Sequence, residues 1–292
     1  FLGLVAQTAS LYLLNGNHEQ ASLFNFNQTD ERHKVAVGVQ TIRNQMFPMP
    51  ASEGIYTGDN TKLKGIGLLR DYFAWTWGDA LFVVLDNYWH SPAQVDSGFH
   101  GGSGGGKKSN DRKSRDWWGM TLGNEQYHWF RKTLEGSKAK YKFVFAHHVM
   151  GSGRGGIEAA DLYEWGGRGR GGSTNSREFK QKRPGWELPV HQLMVKHGVS
   201  IFFQGHDHLY ARQEKDGVVY QEVPLPANHT YSSFNEDSYR SGKKLPNSGF
   251  LRVTVSPEEA KVDYVRCWLP KDETSGQKSG DVAHSYTIKA KA

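Results

Sequence analysis

Two imidazoles one residue apart, His206 and His208, follow a run of β-forming residues, Val199-Ser200-Ile201-Phe202-Phe203, that is stopped by Gly205. A buried strand ending in Gly-His-Asp-His projects both rings from its carboxyl edge, which is where open α/β sheets bind ligands. The same order occurs twice more. Leu11-Tyr12-Leu13-Leu14 runs into Asn15-Gly16-Asn17-His18-Glu19, and Tyr141-Lys142-Phe143-Val144-Phe145-Ala146 runs into His147-His148. A single histidine at a strand end is most often a satisfied core residue. Three such ends make a shared site the better reading. Asn17, His18, His147, His148, His206 and His208 together offer three or four nitrogens and an amide oxygen, which suit borderline metal ions. There is no cysteine cluster, so a structural zinc finger is excluded. Open histidine-rich sites of this kind usually serve hydrolysis, where one ion activates water and a second neutralises the leaving group.

The elements that must position these groups can be read around them. Ala80–Leu85 is a buried strand ending at Asp86. A lone carboxylate there is more often a structural hydrogen-bond acceptor than a ligand. Asn124–Leu134 has helical spacing, with Tyr127, Phe130, Arg131 and Leu134 on one side. Glu187–His197 is a second helix, with Pro189 in its first turn, His197 facing the core and Gly198 ending it. Residues 1–9 read as the end of a helix, and residues 20–70 as an irregular excursion over the surface. Two loops, Gly98–Asp116 and Gly151–Gly172, are rich in glycine and basic residues. The second holds Arg154, Arg168 and Arg170 near the mouth of the site; an Arg contact to substrate and a plain solvated loop are equally supported. Segments 217–225, 249–255, 260–266 and 284–289 alternate as antiparallel strands do and should close one side. Strands separated by helices, then a β-rich tail, predict a layered α/β fold, and no linker or repeat divides residues 1–292.

Composition bounds the rest. With 37% hydrophobic and 13% aromatic residues, the chain can build a packed core. The formal charge of +6 suits an anionic substrate, but the basic residues are scattered and no nucleic-acid recognition motif appears. Nucleic acid is therefore not expected as the main partner. One cysteine, Cys267, excludes an intrachain disulfide. No run of about 18 apolar residues could span a membrane.

Gly16-Asn17-His18-Glu19, the strand into His147-His148, and Gly205-His206-Asp207-His208 resemble, in order, the last three motifs of the calcineurin-like metallophosphoesterases. Phe82-Val83-Val84-Leu85-Asp86, Glu125-Gln126-Tyr127-His128-Trp129-Phe130 and the strand before His147 are similar to flanking features of the purple acid phosphatase-like and secreted phosphodiesterase branches. The resemblance implies an αββα sandwich and a dinuclear centre of two divalent or trivalent ions (Fe, Mn or Zn), at which water attacks a small-molecule phosphomonoester or phosphodiester. By the same resemblance Asn17, His147 and His206 hold one metal and His208 the other, while His18 binds no metal and acts on the phosphoryl group as a catalytic residue. Val149 stands where the family carries proline, so His148 stays open as the alternative ligand; otherwise His148 and Arg154 are candidates for substrate contact. The family's two earlier motifs, Asp-x-His and Gly-Asp-x-x-Asp, do not precede Gly16, and Gly58-Asp59-Asn60 only echoes the second. The chain thus reads as N-terminally incomplete, its missing segment supplied in cis or by another chain. Alone it should hold at most one metal, weakly, and leave a sheet edge open. Two other readings are a non-catalytic binding protein with the same fold and a mononuclear hydrolase of another bond; the latter lacks its usual His-x-His-x-Asp-His. By analogy with similar enzymes, a secreted or periplasmic location is expected.

Overall fold

The computed structural model describes residues 7–95, 117–149, 154–169 and 176–291. The loop expected over 98–116 lies outside these residues, as do most of the helix expected over 1–9 and part of the loop over 151–172, including Arg170.

The main sheet is built on three parallel strands, β5 (Ala80–Val84), β6 (Tyr141–Phe145) and β7 (Ile201–Gln204). They read as near-continuous apolar runs because both of their faces are covered. Parallel pairing requires long crossovers. The helix α3 (Asn124–Gly136) provides one, and α4 (Ile157–Ala160), α5 (Tyr163–Gly166), α6 (Ser176–Lys182) and α7 (Val190–Lys196) lie in the next. Two earlier helices, α1 (Leu23–Phe26) and α2 (Glu31–Met46), precede the sheet. The short strands β1 (Thr57–Gly58), β2 (Lys62–Leu63) and β3 (Gly67–Leu68) lead into β4 (Phe73–Trp77), which forms a hairpin with β5. Beyond β7 come β8 (Tyr210–Lys215), β9 (Val218–Glu222) and β10 (Lys243–Leu245), giving the order β1-β4-β5-β6-β7-β9-β8-β10. Residues 218–222, read as part of the closing antiparallel set, instead run parallel to β7 in the main sheet.

Alternation along β7 sends Phe202 to one face and Phe203 to the other. Phe202 packs against Trp165 and Tyr220 under the helices, in a core with Tyr127, Phe130 and Leu134 of α3 and Val190 and Leu193 of α7. Phe203 stacks on Phe145 beneath a second, antiparallel sheet of β11 (Gly249–Val255), β12 (Glu259–Arg266) and β13 (Val282–Lys289), which contributes Leu251, Ala260, Val262, Tyr286 and Ile288. Helices, sheet and sheet form successive layers, as the α/β reading with a β-rich C-terminal part expected. Among the described residues, no helix is long and apolar enough to cross a membrane.

Three expectations need correction. Leu11–Leu14 forms no strand; Tyr12, Leu13 and Leu14 lie against Met49, Phe73, Val84 and Phe145, where apolar burial replaces ladder pairing. The excursion over 20–70 contains α2, a helix of 16 residues whose N-cap Asp30 accepts from Arg32 N–H at 3.0 Å. Only Ala36 and Gln40 of this helix are buried, so its apolar periodicity is weak. The second Gly/Arg-rich segment forms α4 and α5, with Trp165 buried in the core instead of offered to solvent. The main sheet ends in the two-residue β1 and the three-residue β10, and β1 pairs only with Phe73 and Ala74, so that among the described residues 75–77 of β4 pair on one side alone and leave an open edge there.

Candidate metal centre

Because β5, β6 and β7 are parallel, their carboxyl ends fall on one edge. The ladder continues past the strands: Ala146 N–H donates to Phe203 O at 3.1 Å and Gly205 N–H to His147 O at 2.7 Å. This sets His147 beside the Gly205-His206 turn. On the other side, Gly16 brings the Asn17–Glu19 turn onto the His147 ring. A Cβ on Gly16 would stand 3.1 Å from two atoms of that ring and 2.8 Å from Glu19 Oε2, so any larger residue here would have to displace Glu19 and shift the ring. Glu19 in turn accepts from Gly16 N–H at 2.5 Å and closes the turn.

Three donor atoms meet in this space. Asn17 Oδ1 is 2.7 Å from His147 Nε2 and 3.1 Å from His206 Nδ1, and the two nitrogens are 3.2 Å apart. Ligands about 2.1 Å from one ion stand about 3.0 Å apart in an octahedron and about 3.4 Å apart in a tetrahedron. The spacing of the three atoms matches one face of such a coordination shell. Burial, followed by the neighbouring His206, His208 and His18, lowers the His147 pKa from 6.5 to about 3, so its ring is neutral and has a lone pair to give. Asn17 is 5% exposed and its Nδ2 is buried without a hydrogen-bond partner. The amide is held with its oxygen inward at the expense of its donor. These residues fit a borderline metal ion.

His148 is also buried. Its Nδ1 lies 3.1 Å from Tyr88 Oη, its ring stacks on His206 with centroids 4.5 Å apart, and His147, His148 and His206 each offer an atom within 4.8 Å of the others. His208 stands at the mouth, its ring edge-on to Phe234 at 5.9 Å. Burial lowers its pKa, Asp207 opposes the shift, and His18 and Arg154 add to the lowering. His18 is exposed on the rim. Arg154 is turned inward to Asp207, with Nη1 to Oδ1 at 2.8 Å.

The other acidic candidates stand apart. Asp86 accepts from Asn15 Nδ2 at 2.8 Å, Tyr88 N–H at 2.7 Å and Trp89 N–H at 2.9 Å, and so fixes the chain after β5. Asp59 is buried and caps Thr61 N–H at 2.9 Å. Trp118 and Trp165 are buried, with Trp118 edge-on to Tyr163, and offer no face to a ligand.

Sequence reasoning missed the residues behind His206 and His208. Glu222, at the end of β9, and Tyr239 are both buried against Asp207. Burial, then Asp207, pushes the Glu222 carboxyl well above its usual range. A carboxylate closing the fully buried run Val218–Glu222 was the one signal available for it.

No family profile matches the sequence, and no curated protein matches it. Among solved structures, PhoD is similar over 94% of this chain and 51% of its own, with a TM-score of 0.54 and 14% identity. A purple acid phosphatase, PPD1, from yellow lupin (Lupinus luteus) seeds is similar over 94% of this chain and 40% of its own, with a TM-score of 0.47 and 19% identity. The chain thus spans about half or less of the length of these proteins, and its layered α/β fold is of the PhoD type.

Proposed function

We propose that the protein carrying this chain is a metal-dependent hydrolase of small-molecule phosphoesters, monoesters or diesters. The observation that supports this most is the convergence of Asn17 Oδ1, His147 Nε2 and His206 Nδ1 within 2.7–3.2 Å at the carboxyl edge of a parallel sheet. These three residues would hold one ion (Fe, Mn or Zn), and His208 would be a ligand of a second. A bound ion supplies Lewis-acid polarisation of the phosphoryl group and a nucleophile at neutral pH.

The chain's own groups do the rest. Asn17, fixed by the turn that Glu19 closes, keeps an uncharged oxygen inward. His147, neutral through burial, does not compete with the ion as a cation. His18, on the rim, can donate a hydrogen bond to a phosphoryl oxygen and pass a proton to the departing alkoxide, a role worth about 10²–10⁴ in rate. His148 lies deeper, held at Nδ1 by Tyr88, and would support the site from below.

The test is turnover of p-nitrophenyl phosphate and bis-p-nitrophenyl phosphate by the full protein, with Mn²⁺, Zn²⁺ or Fe²⁺ added back after chelation. Hydrolysis should require metal. A His18→Ala variant should retain its metal and lose about 10²–10⁴ in kcat. Full turnover in chelator, or an unaltered His18→Ala enzyme, would contradict the assignment.

A further inference from the structure

We propose that Asp207, Glu222, Tyr239 and Arg154 form a buried clamp that orients the His206 and His208 imidazoles, and that Arg154 is therefore a positioning residue and not a contact to substrate. The role given to the two imidazoles rests on the metal reading above; the clamp itself stands on its own contacts.

His206 has φ +83° and His208 φ +54°, so two non-glycine residues in the left-handed region flank Asp207. Such conformations persist only where the surroundings over-determine them. Asp207 supplies that constraint. Its side chain, 3% exposed, accepts from Arg154 Nη1 at 2.8 Å, Gly155 N–H at 2.8 Å and Tyr239 O–H at 3.0 Å. Its own N–H donates to Glu222 Oε1 at 3.0 Å. Glu222 is anchored in turn, with Oε2 accepting from Gln204 Nε2 at 2.9 Å and lying 3.1 Å from Tyr239 Oη.

The clamp is built on the sheet. Gln204 and Glu222 are ladder partners on β7 and β9, so Glu222 is as fixed as the strands. Tyr239 approaches from the β9–β10 connection and meets both carboxyl groups with one hydroxyl. Arg154 and Gly155 close the open side. At Gly155, with φ +92°, a Cβ would stand 2.7 Å from Ser238 O, so the segment comes this close only as glycine. The residues after the turn are tied down as well: His208 O accepts from Phe234 N–H at 3.2 Å and from Asn247 Nδ2. The result directs His206 towards Asn17 and His147, and His208 towards Phe234 at the mouth. Arg154 spends its nearer guanidinium nitrogen on Asp207, and its side chain is only 20% exposed.

The experiment uses Co²⁺ as the probe, with its visible absorption band and a competition titration. It adds the histidine ring resonances of the metal-free protein and the thermal midpoint. Tyr239→Phe and Arg154→Ala should each weaken Co²⁺ about 10–100-fold, as loss of a ligand's supporting partner does. Both should also change the band and move the His206 and His208 resonances. Arg154→Lys, which keeps one donor for Asp207, should restore most of the affinity. Variants that lose thermal stability but keep the wild-type affinity, band and ring resonances would overturn the clamp. Wild-type protein that takes up no Co²⁺ while the variants still move the ring resonances would sink the metal reading and leave the clamp standing. Absence of both effects would sink both.

Discussion

Replacing Gly16 by alanine tests the packing on which the candidate metal centre rests. The added methyl carbon would stand 2.8 Å from Glu19 Oε2 and 3.1 Å from two atoms of the His147 ring. The first is closer than carbon tolerates, and the other two are tight enough that the ring must give by a few tenths of an ångström. Glu19 is the flexible partner and swings away first, giving up the hydrogen bond from Gly16 N–H. A bond to a charged group is worth about 1.5–3 kcal/mol, or less where water replaces it. The imidazole is confined by Asn17 on one side and His206 on the other, and being pushed off its rotamer costs it about 0.5–1.5 kcal/mol. Gly16→Ala should therefore destabilise the metal-free protein by about 2–4.5 kcal/mol at most, the sum of these two terms. It should also weaken metal binding by about tenfold or more, because His147 Nε2 leaves the triangle of donors. Glu19→Ala separates the two effects, since it loses the same hydrogen bond without touching the ring. Chemical denaturation gives the stability, and competition with a chromogenic chelator gives the Zn²⁺ affinity. If Gly16→Ala and Glu19→Ala bind Zn²⁺ equally well, the imidazole is not held where the structure places it and the reasoning fails.

Two further expectations concern charge. Asp86→Ala leaves the buried Asn15 Nδ2 and two backbone N–H donors without their acceptor. At about 1–3 kcal/mol for each unpaired group, the loss should be about 3 kcal/mol or more. The number of metal ions bound should not change, and loss of metal without loss of stability would restore Asp86 as a ligand. In metal-free protein, His147 stays neutral down to about pH 3 while the unfolded chain takes up its proton near pH 6.5. The unfolded state thus binds more protons in this window, so this contribution is intact above pH 6.5 and is lost as pH falls towards 3, at about 1.4 kcal/mol per pH unit. His147→Gln should flatten that acid limb in denaturation curves measured from pH 7 to 4; an unchanged slope would contradict the burial assigned to His147.

The site was legible in the sequence where the backbone alone determined it. Phe202-Phe203-Gln204-Gly205 and Phe143-Val144-Phe145-Ala146 are apolar because both faces of a parallel sheet are covered, and a strand of that kind must deliver its next residues to the carboxyl edge. His147 and His206 follow from this directly. Asn17 also arrives at that edge, but Leu11–Leu14 brings it there as a packed coil, because apolar contact can hold a short segment that has no ladder partner. The helix α2 was obscured because it is half-solvated, although Asp30 before it, Glu31 in its first turn and Pro48 after it were readable as a cap and a stop. Arg154 could not be assigned from its neighbours in sequence. Its partner Asp207 is 53 residues away, and only the folded sheet brings the two together.

The central claim is that Asn17, His147 and His206 form a metal site, and equilibrium metal content measures it most directly. The 292-residue chain, stripped with chelator and dialysed against Zn²⁺ or Mn²⁺, should bind one ion weakly, and a His206→Ala variant should bind none at the same free concentration. Uptake by His206→Ala equal to that of the wild type, or no uptake by the wild type at any concentration below precipitation, would contradict the account.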